Sequence, residues 1–283
     1  FSVPVSDVTG LDLARLAALI SAANPVPLAL MVVTVGCELA IRGVKWSLLM
    51  RPAARTRAWD AARLEAAALA LNNVLPLRLG ELARAAYGAE FFNINILTIA
   101  STIAAEKILD IAALLTLALL AAGASVLSSG PVNWRTAAIA AALLALAIAA
   151  LRPLAARYPR LRRALDHLLL GLKALGRPGD AALVYLLALL QWCFNALNYY
   201  WVALALGLGA AITPLRCALL SFTGAAGSSV PGMPGYFGSF ELAVASVAQT
   251  WGVSREQGLA YAALGHVMAY LITTVIGLFF LYQ

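Results

Sequence analysis

Charge is what this chain has least of. Asp, Glu, Lys and Arg make up 12% of its 283 residues, against roughly a quarter in an ordinary globular domain. Twenty basic and 13 acidic side chains cannot cover the surface of a soluble chain this long. Disorder is excluded too, because it requires low hydrophobicity and 63% of these residues are hydrophobic. Histidine and cysteine are nearly missing. The two histidines and Cys37, Cys193 and Cys217 show no metal-ligand spacing, so no metal and no cofactor are expected. Each cysteine sits alone in an apolar segment and reads as a buried small hydrophobe. No nucleophile elbow or catalytic triad spacing is present, so no catalytic residues are assigned. The net charge of +7 comes from basic residues held in two blocks between apolar runs, without interleaved aromatics. That pattern argues against nucleic acid as a partner. With a mean hydropathy of +0.87, a multi-pass protein of the lipid bilayer remains.

Four runs are long enough to cross about 30 Å of hydrocarbon: 27–49, 103–127, 180–209 and 257–282. A fifth, 135–151, is almost pure Ala, Leu and Ile. Residues 11–23 form a short amphipathic stretch before Asn24-Pro25, and Arg51, Arg55, Arg57 and Arg63 form a basic loop. Between 154 and 175 leucines recur at helical spacing among Arg157, Arg160, Arg162, Arg163 and Lys173, predicting a helix in the headgroup layer. With loops 51–63 and 152–177 placed on the cytoplasmic side of the cell membrane, sixteen Lys and Arg fall inside. Four fall outside: Arg15, Arg135, Arg216 and Arg255. Phe1 is not preceded by a basic front and short apolar core, so no signal peptide is expected. The chain starts at Phe1, not Met, and its last apolar run is still unfinished at Gln283, so both ends are expected to be trimmed.

Two further segments are apolar but too short to cross. Residues 64–75 break at Leu75-Pro76 and resume to Gly88; residues 214–229 break at Val230-Pro231 and resume from Ser239 to Trp251. Half-length helices around a break predict re-entrant hairpins. The expected fold is therefore all-α: one polytopic transmembrane domain over 1–283 with two inverted repeats, about 27–127 and 180–283. Residues 135–178 supply the linking span and basic helix. Paired interrupted segments in inverted repeats point to a transporter site; the plainer reading is two loops dipping into a scaffold.

The few charges outside the basic loops gather at these breaks. In Asn72-Asn73-Val74-Leu75-Pro76-Leu77-Arg78-Leu79-Gly80-Glu81-Leu82-Ala83-Arg84, helical spacing sets Arg78, Glu81 and Arg84 in one sector. Arginine forks suit phosphate, and a broken helix frees backbone N–H groups for anions; equally, an Arg–Glu pair pins a hairpin. Glu106, Lys107 and Asp110 follow: Glu106 and Asp110 share a face and read as partners for Arg78 or Arg84 or as groups that take up a proton, while the plainer reading is interfacial charges at a helix start. In the second break, beside Pro234, the three glycines Gly232, Gly235 and Gly238 let backbone approach a ligand or another helix closely. Glu241 is either an N-terminal cap for the helix beyond Gly238 or a membrane carboxylate taking a proton or cation. His266 reads as a hydrogen-bonded core residue, and Trp192, Tyr199, Tyr200 and Trp201 as belt or packing residues.

These motifs resemble the transmembrane region of lysylphosphatidylglycerol synthase, also called flippase-like domain membrane proteins. Asn72 through Arg84 match that family's Asn-Asn/Asp-x-Leu-Pro-x-Arg-x-Gly-Glu-x-x-Arg pattern at every fixed position; Glu106, Lys107 and Asp110 match its Glu-Arg/Lys-x-x-Asp. Pro234 through Glu241 is similar to its Pro-Gly-Gly-x-Gly-x-x-Glu, with Tyr236 in place of the second glycine, a change bearing on ligand fit. The resemblance implies a polytopic fold and handling of phospholipids or lipid-linked substrates. It also implies a further helix ahead of the first span, and in some relatives a fused aminoacyl-transferase domain that this sequence lacks. The expected function is a flippase- or scramblase-like lipid translocator using Asn72, Asn73, Arg78, Glu81, Arg84, Glu106, Lys107, Asp110, Pro234, Gly235, Gly238 and Glu241. The alternatives are a membrane-embedded headgroup transferase and a non-transporting lipid-binding partner; a homo-oligomer is left open.

Overall fold

A computed structural model describes residues 13–75, 79–128, 178–229 and 237–281. The predicted span 135–151, the basic helix 154–175, Arg78, and the second break with Pro234 and Gly235 lie outside them. Nine α-helices and no strand are found among the described residues: α1 (Leu13–Ser21), α2 (Pro25–Met50), α3 (Ala58–Val74), α4 (Leu79–Phe92), α5 (Ile96–Ser128), α6 (Pro178–Ala205), α7 (Pro214–Gly227), α8 (Ser239–Gln249) and α9 (Arg255–Leu281). Four of them, α2, α5, α6 and α9, are long and apolar enough to cross a membrane.

Local chemistry sets the helix ends. The Asn24 side chain accepts from the N–H of Val26 at 3.0 Å, with Pro25 following at the first helical position. Asn95 does the same for Leu97 at 2.8 Å and starts α5, after Asn93 has left the helical region with φ 52°. Ser254 and Gln257 form a reciprocal capping box at the head of α9, each side chain accepting from the other's backbone N–H at 3.2 Å.

Two boundaries differ from the sequence expectation, and both differences matter. Helix α3 begins at Ala58, where Asp60 favours the positive end of the helix, so Arg63 lies on a helix and not in the loop. Helix α5 begins at Ile96, so Glu106, Lys107 and Asp110 sit three turns or more inside it instead of at its start. Their reading as interfacial charges is thereby corrected: Glu106 and Asp110 are buried.

The described residues group into two compact units, one within 1–39, 66–80 and 193–283, the other within 40–65 and 81–192. In the first, α7 packs on α8, α8 on α9 and α9 on α1, around a core that includes Met31, Val202, Leu220, Val244 and Tyr261. Small residues permit close approach, the usual device where lipid supplies no hydrophobic drive between helices. A side chain at Gly277 would strike the Ala66 carbonyl and Ala70 of α3, and one at Gly224 would strike the Tyr199 hydroxyl and Phe240. In the second unit Trp46, Leu49, Ile99 and Val184 form the core, and Gly43 lies against Ala58 and Ala62. Large apolar side chains such as Val33, Leu97, Ile111, Leu120, Leu186 and Val275 face outward, while ionised groups are buried. That inverts the soluble arrangement and fits an integral membrane protein.

Candidate functional site

The sequence-predicted residues fall into two constellations. The larger belongs to the second unit. Eight side chains, four cations and four anions, are joined there by ion pairs. They form a line of alternating sign. Asp110 holds Lys45; Lys45 lies 3.2 Å from Glu106; Glu106 accepts from Arg84 at 2.7 Å; Arg84 pairs with Glu65; Glu65 lies 3.4 Å from Arg42. A branch leaves Arg84 for Glu81 at 3.7 Å and ends on Lys107, 2.7 Å from Glu81.

Each member is delivered by a helix. On α2, Arg42 and Lys45 are three residues apart and so share a face, as Glu81 and Arg84 do on α4; Glu106 and Asp110 are four apart on α5. Gln191, at the middle of α6, accepts from the Lys45 ammonium at 2.5 Å. Trp46 fixes the remaining side of Arg84. The guanidinium carbon lies 3.8 Å from the Trp46 ring centroid, and the indole N–H donates to Thr102 at 3.1 Å. The Lys45, Arg84 and Glu106 side chains are completely buried, whereas Glu81 and Lys107 are 23% and 38% exposed. A lone charge in this setting is expensive, so alternation of sign is the condition for burying any of them.

The second constellation belongs to the first unit and is built on α9, where His266, Tyr270, Thr273 and Gly277 recur at helical spacing and share one face. The Asn73 amide donates to Thr273 at 3.0 Å, to Thr274 at 2.8 Å and to the Tyr270 carbonyl at 3.3 Å; the Tyr270 hydroxyl returns a bond to the Asn73 carbonyl at 3.1 Å. Its neighbour Asn72 packs against Gly80, whose missing side chain would also strike the Ala68 carbonyl. Farther along α9, His266 Nδ1 lies 2.6 Å from Glu241 Oε1, and Glu241 Oε2 accepts from the Gly238 N–H at 2.6 Å. Phe237 and Phe240 flank the imidazole at 4.5 and 4.6 Å between ring centroids. Glu241 is thus the cap that the sequence allowed, with Gly238 at φ 94°, a conformation suited to glycine. His266 is the hydrogen-bonded helical residue expected, with Glu241 as its partner.

The structure therefore brings Glu81, Arg84, Glu106, Lys107 and Asp110 into one cluster, and Asn72, Asn73, Gly238 and Glu241 into another arrangement. Lys45, Glu65 and Gln191 were missed. Lys45, one of the sixteen cations expected on the cytoplasmic side, is fully buried in this cluster, three residues from Arg42 on the same helix. Glu65 was visible only as a lone carboxylate in an Ala/Leu run. A third polar contact was also missed: Asn198 on α6 accepts from Thr34 and donates to Glu38 at 3.2 Å, both on α2.

Long apolar helices carrying a buried, sign-alternating charge network define a polytopic helical membrane protein. The chain belongs to the family described as the lysylphosphatidylglycerol synthase TM region, whose model matches residues 2–277. No curated protein and no solved structure matches the chain.

Proposed function

We propose that this protein is a membrane lipid translocator, flippase- or scramblase-like, passing the polar headgroup of a phospholipid or lipid-linked substrate along a groove lined by two re-entrant hairpins. The repeats about 27–127 and 180–283 are inverted in this reading, with 135–178 linking them and loops 51–63 and 152–177 on the cytoplasmic side of the cell membrane. One observation carries it: the charge network reaches into two of the helices that are long enough to cross, with Arg42 and Lys45 on α2 and Glu106, Lys107 and Asp110 on α5. A headgroup phosphate crossing about 30 Å of hydrocarbon needs polar groups at that depth. Family membership supports a lipid-related role.

In this reading Arg78, beside the first break, and Lys107 receive the headgroup. Arg84 holds Glu65 and Glu106 in place. Asn72, Asn73, Gly238 and Glu241 set the two hairpins, and Pro234 and Gly235 let backbone approach the lipid. The test is reconstitution of the full chain into liposomes with fluorescent phospholipid, followed by quenching of the outer leaflet. The expected result is a flip rate well above protein-free liposomes, with a loss of at least tenfold in Arg78→Ala. Wild-type rates equal to empty liposomes would sink the reading. A mass change in lipids extracted after expression would instead mark a headgroup transferase.

A further inference from the structure

The charge network is most open to the surroundings at Glu81 and Lys107. Its inner cations are buried and multiply paired. Arg84 engages Glu65, Glu106 and Trp46 at once, and Lys45 engages Asp110, Glu106 and Gln191. Neither cation presents any side-chain surface. Lys107 differs: it is 38% exposed, and among the described residues it is ion-paired with Glu81 alone, at 2.7 Å. Glu81 in turn stands between two cations. Its Oε1 faces Lys107, while its Oε2 lies 3.7 Å from Arg84, beyond hydrogen-bond distance. That Oε2 is buried and receives no hydrogen bond among the described residues.

Glu81 therefore has somewhere to go. A small swing toward Arg84 closes a 3.7 Å gap to hydrogen-bond length and satisfies the orphaned oxygen. It also leaves the Lys107 ammonium, roughly 17 Å along α5 at 1.5 Å per residue, without its anion. An anion from outside would take that place. Resting on the translocator reading above, the geometry points to Lys107 as the residue that binds the substrate's phosphate. It further points to Glu81 as a resident carboxylate that occupies the phosphate position until it is displaced onto Arg84. The ligand class is a phosphate group carrying a single competing negative charge. The partners of one ion pair are thus assigned opposite effects on binding: Lys107 favours the ligand and Glu81 excludes it.

The experiment uses the full chain in nanodiscs of a phosphate-free galactolipid doped with fluorescent phosphatidylglycerol, reading lipid association by energy transfer to a labelled protein. Wild type, Glu81→Gln, Lys107→Gln and the double variant are compared, each with a thermal unfolding curve. The expectation is that Glu81→Gln tightens association by threefold or more and Lys107→Gln weakens it tenfold or more. The double variant follows Lys107→Gln. Addition of inorganic phosphate identifies the source. Displacement of the lipid at comparable concentration means that soluble phosphate is the ligand read by Lys107, and no displacement means that the lipid headgroup is. If Glu81→Gln weakens association as Lys107→Gln does, or leaves it unchanged while unfolding remains normal, the pair is a structural pin and the proposal falls. If wild type associates but flips no lipid, the translocator reading fails while Lys107 stands as a phosphate site.

Discussion

In the second unit four cations and four anions hold α2, α3, α4 and α5 together. In the first, α3 and α8 are tied to α9 by an amide, a phenol, two threonines and one histidine–carboxylate contact. Both arrangements fix short helices beside long ones, but they fail differently. A neutral hydrogen bond contributes about 0.5–1.5 kcal/mol, and losing one leaves a modest deficit. Removing one charge from a buried ionic line strands its neighbours in a medium that cannot solvate them. The charged arrangement is therefore the more brittle, and its members are the less replaceable.

The comparison breaks most visibly at Arg84. Arg84→Ala leaves Glu65 and Glu106 without their shared cation and is expected to cost about 3–5 kcal/mol, read as a lowered unfolding midpoint in detergent. Neutralising the stranded acids as well, in Arg84→Met/Glu65→Gln/Glu106→Gln, is expected to recover more than half of that loss. No recovery would show that the charges are not the cause. Next is Gly277→Val, which forces α9 away from the Ala66 carbonyl and is expected to cost about 1–3 kcal/mol by overpacking. Gly277→Ala, measured in the same assay, costs less. Asn73→Ala removes the two amide donors shared among Tyr270, Thr273 and Thr274 of α9 and is expected to cost about 1–3 kcal/mol; hydrogen exchange of α3 checks whether that helix loosens first. The smallest effect is expected at Glu241→Ala, which loses the cap on Gly238 at about 0.5–2 kcal/mol. If Glu241→Ala proved more damaging than Arg84→Ala, the contrast between the two arrangements would be reversed.

Much of this was legible in the amino-acid sequence. Apolar runs longer than a bilayer is thick located α2, α5, α6 and α9, and Asn24-Pro25 and Gly238 marked true helix starts. The grouping of Glu81 with Arg84 followed from their spacing. Partners from distant parts of the chain were not legible. The 65 residues between Lys45 and Asp110 and the 146 between Lys45 and Gln191 leave no periodic trace. Lys45 also lies close enough to a basic loop to pass for one of its members. Glu65 was hidden for a related reason, since no charged residue stands three or four positions from it on α3 to signal a partner. The depth of Glu106 depended on where α5 begins, and that is set by Asn95 capping Leu97, seven residues ahead of the predicted start.

The balance of the eight charges has an electrical consequence. A charge moved across the membrane potential gains or loses about 2.3 kcal/mol per 100 mV. These eight side chains sum to zero, so a rearrangement that carries them together does no net work against the field. On the translocator reading proposed above, any voltage dependence would then come from the cargo, and the current accompanying each turnover would report the charge of the lipid carried.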